Sequence, residues 1–236
     1  MMVLMGKPLF TVQEFGENNS KVLFHFAGMG TRTRLYKGPI GRFVQNGYRV
    51  IAYDFDPLIV RNGDVQTFLK VGAEVSADVA KQVAALKTKG VQNFAAYGVS
   101  MGTLMAIKCA AEVSEIKKVV VNLTYGSVAE NIWTWWFIRP AKKRAIEQGY
   151  NLKALDDALA PISPIPHATK LKGKRVLLYL AKRDKVLLYN QSQQFKEALD
   201  REGVDYDYVE NKYFGHVISG FINYNRPQKY LSFLAK

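Results

Sequence analysis

A single cysteine, Cys109, serves the whole chain of 236 residues, which excludes an intramolecular disulfide and suits a reducing, cytoplasmic setting. It lies inside an apolar run and reads as a small core residue rather than a reactive thiol. Long hydrophobic stretches are missing as well: none reaches the ~18 apolar residues of a membrane span. The opening "MMVLMGKPLF" has no basic head, and Lys7-Pro8 cuts its apolar part short, so it does not read as a secretory leader. Histidines number three, and no two have helical or finger spacing, so neither a metal nor any other cofactor is expected. Acidic residues are the scarce charge: 20 Asp plus Glu stand against 33 Lys plus Arg, a formal +13. Such a field draws polyanions, anionic lipid and acidic small molecules. No nucleic-acid module accompanies it, and the densest basic block is "KKR" at 142–144, so nucleic acid is not an expected partner. The run "GMGTRT" after an apolar segment lacks the third glycine of a dinucleotide fingerprint, Thr33 standing there, and no phosphate-binding G-x-x-x-x-G-K-[ST] loop occurs.

What is present is the balance of a folded globule, 48% hydrophobic and 22% charged, long enough for one domain spanning 1–236. From Lys21, "KVLFHFAGMG" reads as a strand buried on both faces and its turn. A helix with Pro39 near its start and Gly47 at its stop follows, then the strand "YRVIAYDFD". The unit recurs. Residues 74–89 place Val75, Val79, Val83 and Leu86 on one helical face and stop at Gly90. Then come the strand "VQNFAAYG", the helix "SMGTLMAIKCAAE" and the strand "IKKVVVNLTYG". This alternation predicts a mostly parallel sheet with helices on both faces. The rhythm breaks at about 127–168, an aromatic, then cationic, then proline-rich excursion, and resumes at "KRVLLYLAKRD". A helix stopped by Gly203, the strand "DYDYVEN" and a helical pair split at Pro227 complete the chain.

The stretch "YGVSMGT" holds a serine between two glycines where strand changes to helix. A residue at such a joint is pushed to the carboxyl edge of the sheet, and the flanking Gly98 and Gly102 let neighbouring chains pass without a Cβ clash. The N–H of Met101, at the helix start, points toward charge developing on an attacked carbonyl. A serine hydroxyl needs a base, and the base needs a partner to hold its tautomer. His216 in "YFGHVIS" follows the last strand, and Asp184 in "AKRDKVL" follows the strand before it. Both are expected at the same edge as Ser100, in the chain order Ser, Asp, His. Asp156 and Asp157 are the alternative acids. His25 reads as a structural residue bonding loop backbone, and His167 as a surface residue.

Carried by "HFAGMG", "GYRVIAYDFD", "GVSMG", "RD" at 183–184 and "GH" at 215–216, the chain resembles the α/β-hydrolase superfamily, in its small branch of esterases, monoglyceride-type lipases and thioesterases. The resemblance implies Ser100 as nucleophile, His216 as general acid/base and Asp184 as its orienting carboxylate. It also implies a short helical cap at about 127–168 and an oxyanion hole formed by Met101 and Ala27. Two positions depart from the family's habit: Phe26 replaces a glycine, and Ala181 replaces the glycine usual three residues before the acid.

A serine at this joint favours acyl transfer. The expected activity is cleavage of carboxylic esters of small or medium acyl groups, with an acyl thioesterase or acyltransferase as the alternative and a non-catalytic ligand-binding protein after that. Trp133, Trp135, Trp136 and Phe137 include all the tryptophans of the chain; Trp133, Trp136 and Phe137 are expected to line an acyl pocket or a lipid interface. The competing reading is that they pin the cap to the core. Arg139, Lys142, Lys143 and Arg144 read as a solvated helix face, with anionic lipid head groups or a phosphorylated carrier as the alternative contact.

Overall fold

A computed structural model describes residues 8–28, 31–56, 59 and 64–236; the leading residues 1–7 and Gly30 of the "GMGTRT" run lie outside them. Seven strands form one sheet: β1 (Phe10–Phe15), β2 (Lys21–Phe26), β3 (Tyr48–Phe55), β4 (Asn93–Val99), β5 (Ile116–Asn122), β6 (Arg175–Ala181) and β7 (Asp205–Asn211). Their spatial order is β1-β3-β2-β4-β5-β6-β7, all parallel except β1, which pairs antiparallel with β3. β1 went unread in the sequence because it is an edge strand whose mixed residues are mostly exposed, which gives no buried run to recognise.

Alternate residues of the central strands serve two cores. Val22, Phe24 and Phe26 of β2 face α2 (Val65–Lys87) and α3 (Gly102–Glu112), whereas Leu23 faces α1 (Lys37–Gln45) and α10 (Pro227–Ala235). The reversal of direction explains the division. The chain leaves β2 for β3 through α1, then crosses back over β2 to β4 through α2, and right-handed crossovers in opposite directions put their helices on opposite faces. The place where the order reverses, between β2 and β4, leaves a crevice at the carboxyl ends of the strands.

The second helix starts nine residues before the predicted position 74. Asp64 caps it, accepting from Thr67 N–H at 2.7 Å, and Val65, Phe68 and Val71 extend the buried stripe. Gly72 lies inside this longer helix. It is a close-packing site within the helix: a Cβ there would lie 2.5 Å from Ile162 Cγ2.

Between β5 and β6 the chain forms α4 (Val128–Thr134), α5 (Arg139–Glu147), α6 (Leu152–Leu159) and α7 (Pro164–His167). Ser127 and Asn151 cap α4 and α6 through backbone N–H bonds of 3.1 and 2.9 Å. Leu155, Leu159, Ile162 and Ala168 are fully or almost fully buried in the same core as α2 and α3, so the later half of this insert is part of the helical layer on that face. α8 (Tyr189–Glu202) connects β6 to β7, and α9 (His216–Asn225) leads to α10. Among the described residues no helix is long and apolar enough to cross a membrane, and no group of three or more His, Cys, Asp or Glu side chains could hold a metal ion.

Candidate active site at the carboxyl edge of the sheet

β4 ends at Val99 and α3 begins at Gly102, which leaves Ser100 to make the change of direction. It does so with φ of 52°, a left-handed conformation that costs a non-glycine residue roughly 1–2 kcal/mol. Its backbone is held on both sides: Ser100 N–H donates to Asn122 O at 2.9 Å, and Ser100 O accepts from Thr103 N–H at 2.9 Å and Thr103 Oγ1 at 2.5 Å. The flanking glycines sit where backbone meets backbone. A Cβ on Gly98 would lie 2.5 Å from Thr103 Cα, and one on Gly102 would lie 2.6 Å from Ala27 O and closer still to Phe26 O.

The structure brings Ser100, His216 and Asp184 together. Ser100 Oγ is 2.9 Å from His216 Nε2, and His216 Nδ1 is 2.7 Å from Asp184 Oδ2. The other carboxylate oxygen accepts from Val186 N–H at 2.8 Å and Leu187 N–H at 2.9 Å, so the turn after β6 fixes the plane of the acid. Asp184 is almost wholly buried, and His216 keeps a small exposed edge. With Nδ1–H donating to Asp184, Nε2 retains its lone pair and accepts from the Ser100 hydroxyl. The arrangement can take a proton from serine and hold the resulting imidazolium beside a carboxylate. The alternative acids are engaged elsewhere: Asp156 accepts from Ser127 Oγ at 2.5 Å, and Asp157 pairs with exposed Lys153 at 2.9 Å.

Of the two expected oxyanion donors, Met101 N–H has no acceptor among the described residues and stands at the start of α3. Ala27 is a correction. Its N–H donates to Tyr53 O at 3.1 Å, continuing the β2–β3 ladder by one residue, so it is spent within the sheet. Gly28 N–H faces the Tyr36 hydroxyl at 3.4 Å.

Two histidine readings also change. His25 is structural, but its partner is the Tyr224 hydroxyl rather than loop backbone, and complete burial lowers its pKa to about 3. His167 is buried, not on the surface, with Nε2 bonded to Pro161 O at 3.0 Å; burial lowers its pKa. Cys109 is a buried core residue, its thiol pKa pushed up by burial and by Glu112.

In the insert, Trp133 is half-buried against the core, its ring 4.6 Å from Lys142 Nζ and its carbonyl bonded to the same ammonium at 3.1 Å. Trp135 stacks on Phe137 at 5.4 Å, and the edge of Trp136 meets Phe137 at 5.8 Å. Trp136 and Phe137 stand exposed, so any lining role for them belongs to a substrate lying along the surface. Lys143 pairs loosely with Glu147 at 3.7 Å, which fits a solvated helix face.

The sequence reading missed Asn122. This fully buried side chain ends β5, its carbonyl holds Ser100, and its Oδ1 accepts from Asn223 Nδ2 of α9 at 2.9 Å. It thereby ties the serine turn to the helix that carries His216. The signal was a polar residue closing the apolar run "KVVVN".

Comparisons with known proteins bear on the fold and the family. No curated protein shows significant sequence similarity to the chain. Among solved structures, Pyrococcus horikoshii acylaminoacyl peptidase superposes with a TM-score of 0.69 at 14% identity, over 92% of this chain and 37% of that one. Acetyl xylan esterase 1 from Thermoanaerobacterium sp. gives 0.68 at 19% identity, over 92% and 76%. A Pyrococcus furiosus esterase gives 0.61 at 17%, over 94% and 82%. The chain thus spans little more than a third of the length of the peptidases it matches. At these identities the likeness shows the fold, that of the α/β-hydrolases. The sequence profile of the prolyl oligopeptidase family matches residues 69–236, a stretch that includes Ser100, Asp184 and His216, and the chain belongs to that family within the α/β-hydrolase superfamily.

Proposed function

We propose that the protein is a serine hydrolase that cleaves carboxylic esters of small or medium acyl groups through an acyl-enzyme. The observation that carries the reading is the unbroken chain of hydrogen bonds from the Ser100 hydroxyl through His216 to Asp184. In the first step Ser100 Oγ bonds to the substrate carbonyl carbon as its proton passes to His216 Nε2. The negative charge that forms on the carbonyl oxygen is met by Met101 N–H at the positive end of α3. His216 then gives the proton to the departing alcohol oxygen as the C–O bond breaks. Water repeats the sequence on the acyl-serine, returning the hydroxyl of Ser100 and releasing the acid.

The same groups serve thioesters without change. Membership of a family described as peptidases favours a second reading, cleavage of an acyl-peptide or peptide bond, in which the leaving group is an amine. Active-site labelling and a substrate panel test these readings. A fluorophosphonate probe is expected to modify Ser100 in the folded protein and not the Ser100→Ala variant, as read by intact mass. Among p-nitrophenyl esters, acyl thioesters and peptidyl p-nitroanilides, the highest kcat/KM is expected for the esters. A large preference for anilides or thioesters would overturn the ester assignment, and failure to label Ser100 would overturn the hydrolase reading itself.

A further inference from the structure

The helix that begins with His216 is built inside out. Its buried residues are Ser219, Asn223 and Tyr224, and their polar groups are used inward: Ser219 Oγ donates to Phe214 O at 3.0 Å, and Asn223 Nδ2 to Asn122 Oδ1 at 2.9 Å. Its apolar residues point the other way. Val217, Ile218 and Phe221 lie on its outward face, and with Tyr213 and Phe214 in the turn just before it they are 43–77% exposed. An amphipathic helix ordinarily buries that stripe, and a contiguous exposed apolar patch on a folded surface marks a contact site.

The surroundings of the stripe are basic. Residues 212–226 contain Lys212 and Arg226 and no Asp or Glu. The turn after β6 adds Lys182, Arg183 and Lys185, all exposed, and it abuts the start of α9: Lys182 N–H donates to Asn211 O at 2.8 Å, and a Cβ on Gly215 would lie 3.1 Å from Arg183 O. The nearby carboxylates are Asp184, held by His216, and Glu210, which accepts from the Tyr189 and Tyr208 hydroxyls and faces Lys182 and Lys212; the cations outnumber them. From this juxtaposition we propose that the outer face of α9, flanked at both ends by these cations, docks on an anionic lipid surface, and that the substrate is an ester carried in that surface. The substrate part rests on the hydrolase reading above.

Three features select lipid over other occupants. Apolar side chains beside clustered lysines and arginines match the layering of a bilayer interface, where acyl chains lie beneath anionic head groups. A second copy meeting this face about a twofold axis would set the basic ends of the two helices against each other. His216 and Val217 are consecutive residues, so a protein seated on the stripe would crowd the mouth of the site, whereas a lipid surface would supply it with substrate.

Co-sedimentation with sucrose-loaded vesicles tests the docking apart from turnover, using the Ser100→Ala protein. The expected result is pelleting with phosphatidylcholine containing about a third phosphatidylglycerol, at least about tenfold weaker pelleting with pure phosphatidylcholine, and release by high salt. A Val217→Gln/Phe221→Gln pair and, separately, an Arg183→Glu/Lys212→Glu pair are each expected to lower partitioning about tenfold or more. Because all four positions are exposed, unchanged melting temperatures will certify the fold of both variants. Absence of pelleting, or pelleting unchanged in both variants, would overturn the proposal. So would a dimer in sedimentation equilibrium that the Val217/Phe221 pair dissociates, because the face would then belong to a second copy. Vesicle binding by a protein that hydrolyses none of the panel would uphold the docking and remove the ester assignment alone.

Discussion

Ser100 is strained so that its hydroxyl can stand clear of both the strand before it and the helix after it, and the residues around it have little freedom to change. Gly102→Ala would drive a methyl group into the carbonyls of Phe26 and Ala27, which are backbone and cannot rotate away. The variant is expected to lose roughly 3 kcal/mol or more of stability and to label poorly with a fluorophosphonate; chemical denaturation and labelling rates read the two effects. Asp184→Asn keeps the shape of the acid but removes its charge, and kcat is expected to fall by ~10⁴, the size of effect known from the analogous change in a serine protease, with the melting temperature nearly unchanged. His25 makes a different prediction. Its pKa falls from the ordinary 6.5 to about 3 in the folded protein because the ring is completely buried. The unfolded chain therefore binds a proton below about pH 6.5 that the folded chain refuses. Stability is fully present above that pH, declines as the pH falls, and drops by about 2.5 kcal/mol from about pH 7 to about pH 4.5 on this group alone. His25→Gln, which retains a partner for Tyr224 but cannot ionise, is expected to flatten that part of the urea-denaturation profile.

The elements differ in how openly the sequence declares them. β2, β4, β5 and β6 are short apolar runs bounded by turns, and each stands where such a run predicts. So does the serine turn, because paired glycines at a strand-to-helix change have few other uses. β1 was silent because an exposed edge strand lacks a buried face, and α2 begins earlier than predicted because Val65, Phe68 and Val71 extend the buried stripe ahead of Val75. Ala27 failed as a donor for a reason invisible to a motif: its N–H is taken by Tyr53 O of the neighbouring strand. The tie through Asn122 was equally hidden, since a hydrogen bond from β5 to α9 joins residues about a hundred positions apart. Asn122→Ala would leave Asn223 Nδ2 buried and unpaired, which costs about 1–3 kcal/mol. As a positioning residue Asn122 should also affect kcat more than KM, because the helix under His216 loses its anchor. Adding Asn223→Ala is expected to recover part of the stability, since both partners are then gone; a full cycle of melts and steady-state rates measures the coupling.

At the scale of the molecule, the parallel run from β4 to β7 sets the carboxyl ends of β4, β6 and β7 along one lip, and the three polar groups meet there although 116 positions separate the first from the last. The chain order Ser, Asp, His made that convergence legible before any coordinates, whereas the surface on which the lip opens was not legible. A stripe of apolar side chains in "YFGHVISGF" looks like core until the inward face of the helix is seen to be occupied by Ser219, Asn223 and Tyr224. The second face of the sheet has its own consequence. Tyr230, Phe233 and Leu234 of α10 close the cluster formed by Leu23, Phe43, Val50, Tyr97 and Tyr224, and Tyr224 lies two turns beyond the imidazole. Removal of residues 227–236 would keep every group of the proposed chemistry, yet that side of the sheet would lie open to water and fluorophosphonate labelling is expected to vanish together with the cooperative melt.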